Sequence, residues 1–233
     1  MLDMKKQTIF IVLGSILVVT LVIISIFISK ENKEDPKSLL GIDYNVNGNE
    51  ANLKYDVENP VVAMHIENYG SVVIELYPEI APNTVNNFIS LVKKGFYDNN
   101  NFHRLMEEFV LQGGDPTGTG SGGPGYTIKG EFTSNGFENH LSHEKGVVSM
   151  ARTAYDPDSA GSQFFICLED AKYLDGDYAT FGRVIDGFDN IKNIEKTEQI
   201  EDKNTGKLKN NIKIEKALID LNGKDYPEVE KID

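Results

Sequence analysis

From Pro60 onward the apolar residues of this chain come in short stretches broken by glycine-rich turns, and that spacing limits the fold more than any other feature. VVAMHIENYGSVVIELY, beginning at Val61, reads as two strands around a turn at Asn68-Tyr69-Gly70. APNTVNNFISLVKKG, residues 81–95, puts Val85, Phe88, Ile89 and Val92 at helical spacing. Pro82 near its start and Lys93, Lys94 and Gly95 at its end are helix start and stop signals. Several short strands follow. Residues 189–196 read as a second helix, residues 197–211 as a charged connecting loop and residues 212–221 as a last strand. Strands this short, with turns this frequent, point to a closed antiparallel barrel or a sandwich.

The run FHRLMEEFVLQGGD, residues 102–115, sets Arg104 beside His103 and among Phe102, Phe109 and Val110, with Gln112 close behind. An arginine drawn out of water into such company needs a partner. On this run alone, a paired core arginine or a surface one with an apolar flank fits as well. Downstream come SMAR, residues 149–152, and GSQFFI, residues 161–166.

Taken together and in this order, the three runs resemble the cyclophilin family of peptidyl-prolyl cis/trans isomerases, over roughly residues 60–220. The resemblance implies a mainly β fold, a closed eight-stranded antiparallel β-barrel capped by two α-helices, and an isomerase that uses no cofactor and no metal. By the same resemblance Arg104, Gln112 and Phe109 form the catalytic set. Phe109, Val110, Phe165 and Leu174 line the pocket for the proline ring, and Gln112 and Gln163 hydrogen-bond the substrate backbone. Ala151 and Arg152 offer main-chain groups to the residue before proline. Tyr178 and the glycine loop at Gly120 border the groove. Taken singly, Phe165 and Leu174 would read as ordinary core residues.

The physical task is clear. An X-Pro bond rotates over a barrier of about 18–20 kcal/mol because the nitrogen lone pair is delocalised into the carbonyl. A catalyst lowers it by binding the twisted state, with the lone pair localised, better than either planar state. A fixed guanidinium aimed at that nitrogen suits the role, being always charged and rigidly forked.

The sequence departs from well-known members. Val110 stands where many have methionine, Tyr173 where tryptophan is common and Tyr178 where histidine is common. The last two positions help bind the cyclic peptide cyclosporin in the family, so weakened sensitivity to it is expected. Arg152 matches a frequent bacterial form.

Other signals carry less. GTGSGG, residues 118–123, fits G-x-G-x-x-G but precedes Pro124 and Gly125 instead of a helix, so it reads as a glycine-rich turn. DPDSAG, residues 156–161, has Cys167 where a calcium loop needs glutamate, and Asp156 and Asp158 read as turn residues. His140 and His143 lack a third ligand and read as turn or surface histidines. Cys167, the only cysteine, reads as a small core residue and rules out an intrachain disulfide.

The head is different in kind. Residues 8–29 are twenty-two residues without a charge, preceded by Lys5 and Lys6. As a helix they would span roughly 33 Å, enough to cross a bilayer core. A cleaved signal peptide would carry a shorter apolar run ending in an A-x-A site, and none follows here. Residues 1–29 therefore read as a short head and an uncleaved transmembrane signal-anchor. Residues 30–59 read as a polar tether of roughly 30 Å, the alternative being a short strand at residues 53–57 that belongs to the domain; residues 60–222 read as the isomerase domain and residues 223–233 as an acidic tail. Lysines flank both sides of the apolar run, and the positive-inside count is close to a tie. A short inside head before a large domain favours the extracytoplasmic face of the cell membrane, the alternative being a cleaved, secreted form. Without residues 1–29 the chain holds 21 basic and 35 acidic residues. That balance argues against nucleic acid and mildly favours basic clients.

The expected protein is thus a monomeric, membrane-tethered isomerase acting on proline-containing, partly unfolded exported chains. Two rivals share the fold: a proline-peptide binding module or holdase chaperone with little turnover, and an envelope protein whose barrel is only a spacer.

Overall fold

The computed structural model describes residues 48–232 apart from Lys54. The expected transmembrane segment and most of the tether lie outside the described residues. Among the described residues no helix is long and apolar enough to cross a membrane.

The strands are β1 (Val61–Ile66), β2 (Gly70–Leu76), β3 (Asn100–Met106), β4 (Val110–Asp115), β5 (Val147–Met150), β6 (Phe164–Cys167), β7 (Thr180–Asp186), β8 (Ile200–Asp202) and β9 (Lys207–Asp220). They form one sheet in the order β1-β2-β7-β5-β6-β4-β3-β9-β8, and a β1–β9 pairing closes it. Eight strands therefore make the expected antiparallel barrel. The ninth, β8, hangs on β9 outside the ring. Residues 197–211, expected as a charged loop, thus contain a β8–β9 hairpin.

Helices α1 (Pro82–Lys93) and α2 (Phe188–Thr197) lie close to their expected places. The α1 C-terminus closes as read: Gly95, at φ +69°, donates to the Val92 carbonyl, and Phe96 N–H donates to the Leu91 carbonyl. Its N-terminus has no local side-chain cap. Instead Glu131, buried and 47 residues away, accepts from the Thr84 N–H at 2.7 Å and the Asn83 N–H at 3.0 Å. A carboxylate there meets unpaired amide donors and the positive end of the helix dipole.

Alternation splits the strands into two faces. On β6, Phe164 and Ile166 point into the barrel core, while Phe165 and Cys167 join a separate outer cluster with Val110 and Ala171. Inside, Phe88 sits 5.0 Å from Tyr97 and from Phe181 and 5.4 Å from Phe164, ring centre to ring centre. Strand β1 breaks the alternation, since all six residues are buried. Its outer face is covered by residues 49–57, with Leu53 packed on Val61, Ala63, Val73 and Leu218. The tether boundary is corrected accordingly: residues 49–59 belong to the folded unit, because Leu53 has apolar surface to bury there. The acidic tail is corrected likewise. Tyr226 and Val229 pack against the core, Asn83 and Glu230 exchange hydrogen bonds of 2.8 Å, and Ile232 bridges Thr127.

Candidate active site

A bulge sets up the site. Between Phe102 and Arg104 the pairing of β3 with β4 shifts, so Phe102 opposes Gly113 and Arg104 opposes Gln112. The extra residue is His103. One inserted residue turns every later side chain to the other face. Phe102 and Leu105 point into the core, and Arg104 comes out onto the wall.

There it heads a row of cross-strand neighbours. Arg104 on β3 opposes Gln112 on β4, Gln112 opposes Phe165 on β6, and Phe165 opposes Ser149 on β5. Polar contacts run along the rim. Arg104 Nη1 donates to Gln112 Oε1 at 3.0 Å, and Gln112 Nε2 donates to Gln163 Oε1 at 3.0 Å. Gln163 Nε2 donates to the Gly120 and Gly122 carbonyls at 3.0 and 2.9 Å. Arg104 Nε donates to the Thr205 carbonyl at 2.8 Å. Nη2 is left without a partner among the described residues.

Beside this rim lies a hollow of about 200 Å³ lined by Arg104, Phe109, Val110, Gln112, Ala151, Arg152, Phe165, Leu174 and Tyr178. Gln163 and Gly120 line an adjoining hollow of about 390 Å³, which also takes in Ala151, Arg152 and Gln112. All eleven expected site residues therefore line one or both of two neighbouring depressions. Val110 and Phe165 are buried, whereas Phe109, Ala151, Leu174 and Tyr178 are half-buried. Tyr173 stands beside Phe109, ring centres 5.7 Å apart, and is largely exposed.

The glycine loop is held by Asp115. Its carboxylate accepts from the N–H groups of Thr117 at 2.7 Å, Thr119 at 3.1 Å and Gly120 at 2.6 Å. Burial alone would raise this acid, but these hydrogen bonds outweigh it and bring it down to about 2. The loop is a turn bordering the groove, as read from the sequence.

Three features were not legible beforehand. The Ala151 N–H already donates to the Gln163 carbonyl at 2.9 Å, so of its main-chain groups only the carbonyl can be offered to a peptide. The Arg152 side chain folds onto the wall, its guanidinium 4.7 Å from the Tyr178 ring centre and 5.2 Å from that of Phe132. His143, expected in a turn or on the surface, is fully buried behind Phe165, while His140 is exposed. His143 escaped notice because its partners, Ser149 and Asp175, are scattered in sequence.

His103 is buried too, and both its ring nitrogens lack a partner among the described residues. Burial lowers its pKa, and nearby Arg104 adds to the effect while Asp115 opposes it. It therefore stays neutral near pH 7 and adds no second positive charge beside Arg104. Cys167 is buried as expected, its thiol pushed up to about 12 chiefly by burial. It carries no nucleophilic role.

The site is thus an arginine held at the rim of a small apolar pocket on the outer wall of a closed barrel. Residues 61–219 match the model of the cyclophilin type peptidyl-prolyl cis-trans isomerase/CLD family, and the chain belongs to that family. Peptidyl-prolyl cis-trans isomerase B of Bacillus subtilis is 47% identical over 129 residues, 55% of this chain and 86% of that protein. A peptidyl-prolyl cis-trans isomerase of Helicobacter pylori is 45% identical over 117 residues, 50% of this chain and 68% of that protein. Among solved structures, a Cryptosporidium parvum cyclophilin type isomerase, crystallised in the presence of the dipeptide Ala-Pro, superposes with a TM-score of 0.60. It is 34% identical and covers 68% of this chain and 98% of its own. The protein is a peptidyl-prolyl cis-trans isomerase.

Proposed function

We propose that this isomerase speeds rotation about X-Pro bonds by holding the proline ring in the pocket of Phe109, Val110, Phe165 and Leu174 while Arg104 stabilises the twisted amide. The observation that carries this reading is the fixing of the Arg104 guanidinium at the pocket rim by Gln112 and Thr205. Two of its nitrogens are anchored, and Nη2 is left to donate toward the localised lone pair. A donor held beforehand loses no reorganisation energy as the bond twists. Five decades of acceleration require about 7 kcal/mol of differential stabilisation. One hydrogen bond does not supply that, so the apolar walls and the two glutamines must share it.

The test is NMR exchange between the cis and trans forms of an Ala-Pro peptide. Arg104→Ala is expected to keep peptide binding and slow exchange on the bound peptide by about 10²–10³. Unchanged exchange would remove Arg104 from the mechanism and leave the enzyme standing.

The substrates we propose are partly unfolded chains on the outer face of the cell membrane, with residues 8–29 as the anchor. The uncharged twenty-two-residue run supports this. Protease shaving of intact cells tests it: release of the barrel is expected, and protection would move the enzyme to the cytoplasm. Weak inhibition by cyclosporin belongs to the same reading, since Tyr173 and Tyr178 border the pocket mouth. Inhibition as tight as in tryptophan-bearing members would refute it.

A further inference from the structure

We propose that His143 is a positioning residue for the proline pocket, latching the loop that carries Leu174 and Tyr178 to the barrel and backing the Phe165 ring. The proposal rests on the proline pocket read above and not on the role of Arg104.

The geometry is specific. His143 Nδ1 lies 2.8 Å from Asp175 Oδ1, and the His143 N–H donates to that same oxygen at 2.7 Å. The His143 carbonyl accepts from the Ala171 N–H at 2.7 Å. One residue thus holds both ends of the segment 171–175 that sets Leu174 in the pocket wall. Nε2 lies 3.1 Å from Ser149 Oγ, on the strand beside Phe165. The ring stacks on Phe165 at 6.0 Å and 14°, and meets Tyr178 edge-on at 6.4 Å and 85°.

The partners fix the tautomer. A carboxylate only accepts, so Nδ1 carries the proton, and Nε2 accepts from the Ser149 hydroxyl. A second proton would place a cation in an apolar, closed site and force that hydroxyl to turn. Of the neighbouring groups, Asp175 is the charge facing the ring. Cys167 is neutral, its thiol pushed up to about 12 by burial, and Glu144, next in the chain, pairs with Arg183 at 2.8 Å. Burial lowers the imidazole's pKa although Asp175 opposes it, so the neutral latch is the resting form.

The test uses the full chain in detergent and the peptide Ala-Ala-Pro-Phe, reading affinity and bound-state exchange separately by NMR. His143→Phe and Asp175→Ala are each expected to weaken binding about tenfold, the scale of one lost buried hydrogen bond. Exchange on the bound peptide should stay within about twofold, a KM effect without a kcat effect. The double variant should bind no more weakly than the weaker single one, because both break one latch. Wild-type affinity should fall as the His143 ring signal titrates, and that step should vanish in His143→Phe. Wild-type-like binding by both variants, fully additive losses, or a pH step persisting in His143→Phe would overturn the proposal. If His143→Phe does not fold, the wild-type titration decides: loss of affinity that follows another imidazole, or none through the His143 titration, overturns it. Phe165→Ala, run in parallel, separates the two readings. If it leaves binding intact, the pocket itself is misassigned; if it weakens binding and the His143 variants do not, only the latch fails.

Discussion

Arg104 Nε donates to the main-chain carbonyl of Thr205 at 2.8 Å, across 101 residues of sequence. Thr205 sits at the tip of the β8–β9 hairpin. The tip is tied down from both sides: the Leu105 N–H donates to the Gly206 carbonyl, and the Gly206 N–H donates to the Asp202 carbonyl, both at 2.8 Å. Asp202 also accepts from the Asn204 N–H at 2.9 Å and the Thr205 hydroxyl at 3.0 Å. The tip of a hairpin whose first strand lies outside the barrel thereby aims the side chain assigned to catalysis.

Gly206 is the place to test this. Its φ is +75°, and a Cβ there would lie 2.7 Å from the Leu105 carbonyl oxygen and 2.6 Å from Met106 Sδ. The thioether can swing aside, but the strand carbonyl cannot. Gly206→Ala should lift the tip and release Nε, slowing bound-state exchange about tenfold, the size of one charge-assisted hydrogen bond. Peptide affinity should hold, because the pocket walls are untouched. Wild-type exchange rates would show that the Thr205 anchor is dispensable.

Phe164 and Phe165 are neighbours on β6 with opposite duties. Phe164 lies inside the barrel against Phe88, Tyr97 and Phe102, whereas Phe165 lines the proposed proline pocket. Phe164→Ala is expected to cost about 3–5 kcal/mol of stability, read as a large drop in Tm. Phe165→Ala should cost less stability, since its ring packs outside the main core, and should weaken peptide binding. The reverse pattern would mean the strand register is wrong.

The sequence carries much of this because local chemistry decides it. Gly95 and the lysines before it end α1 where expected, and the family order singles out Phe165 in a run that by itself reads as ordinary core. What stayed hidden depends on distant partners. Nothing near Ala81 announces that Glu131 caps α1. Around Leu53 the sequence leaves tether and domain strand both open, and only Val61, Ala63, Val73 and Leu218 beneath it decide between them. The Thr205 carbonyl is a main-chain acceptor, so no side-chain motif marks it, and the bulge at His103 leaves no mark in composition.

Acid should weaken the fold in two stages. His103 and His143 are held neutral by burial, with pKa values below the usual 6.5. The unfolded chain therefore takes up protons first, and stability falls as pH drops below about 6.5. Asp115 is depressed from 3.8 to about 2, so its contribution is complete above about pH 4 and disappears as pH falls toward 2. That shift corresponds to about 2 kcal/mol. In urea unfolding, Asp115→Asn should be less stable than wild type by that order above pH 4, with the gap closing toward pH 2. A gap that widened in acid would reverse the assigned sign.

The segment before β1 offers a last test, because it sets where the domain begins. The Ala51 N–H donates to the Ile219 carbonyl, and the Ile219 N–H donates to the Asn49 carbonyl, both at 2.8 Å. The Leu53 N–H donates to Asp220 Oδ2 at 2.7 Å. These bonds lay the segment along β9 and press Leu53, 2% exposed, onto the outer face of β1. Leu53→Ala is expected to cost about 2–5 kcal/mol. A chain starting at Gly48 should melt with the full-length barrel, and one starting at Pro60 should melt at least as early as Leu53→Ala. None of these residues lines the proposed proline pocket, so bound-state exchange in the surviving folded fraction should match wild type. Equal melting of the Gly48 and Pro60 chains would return residues 48–59 to the tether.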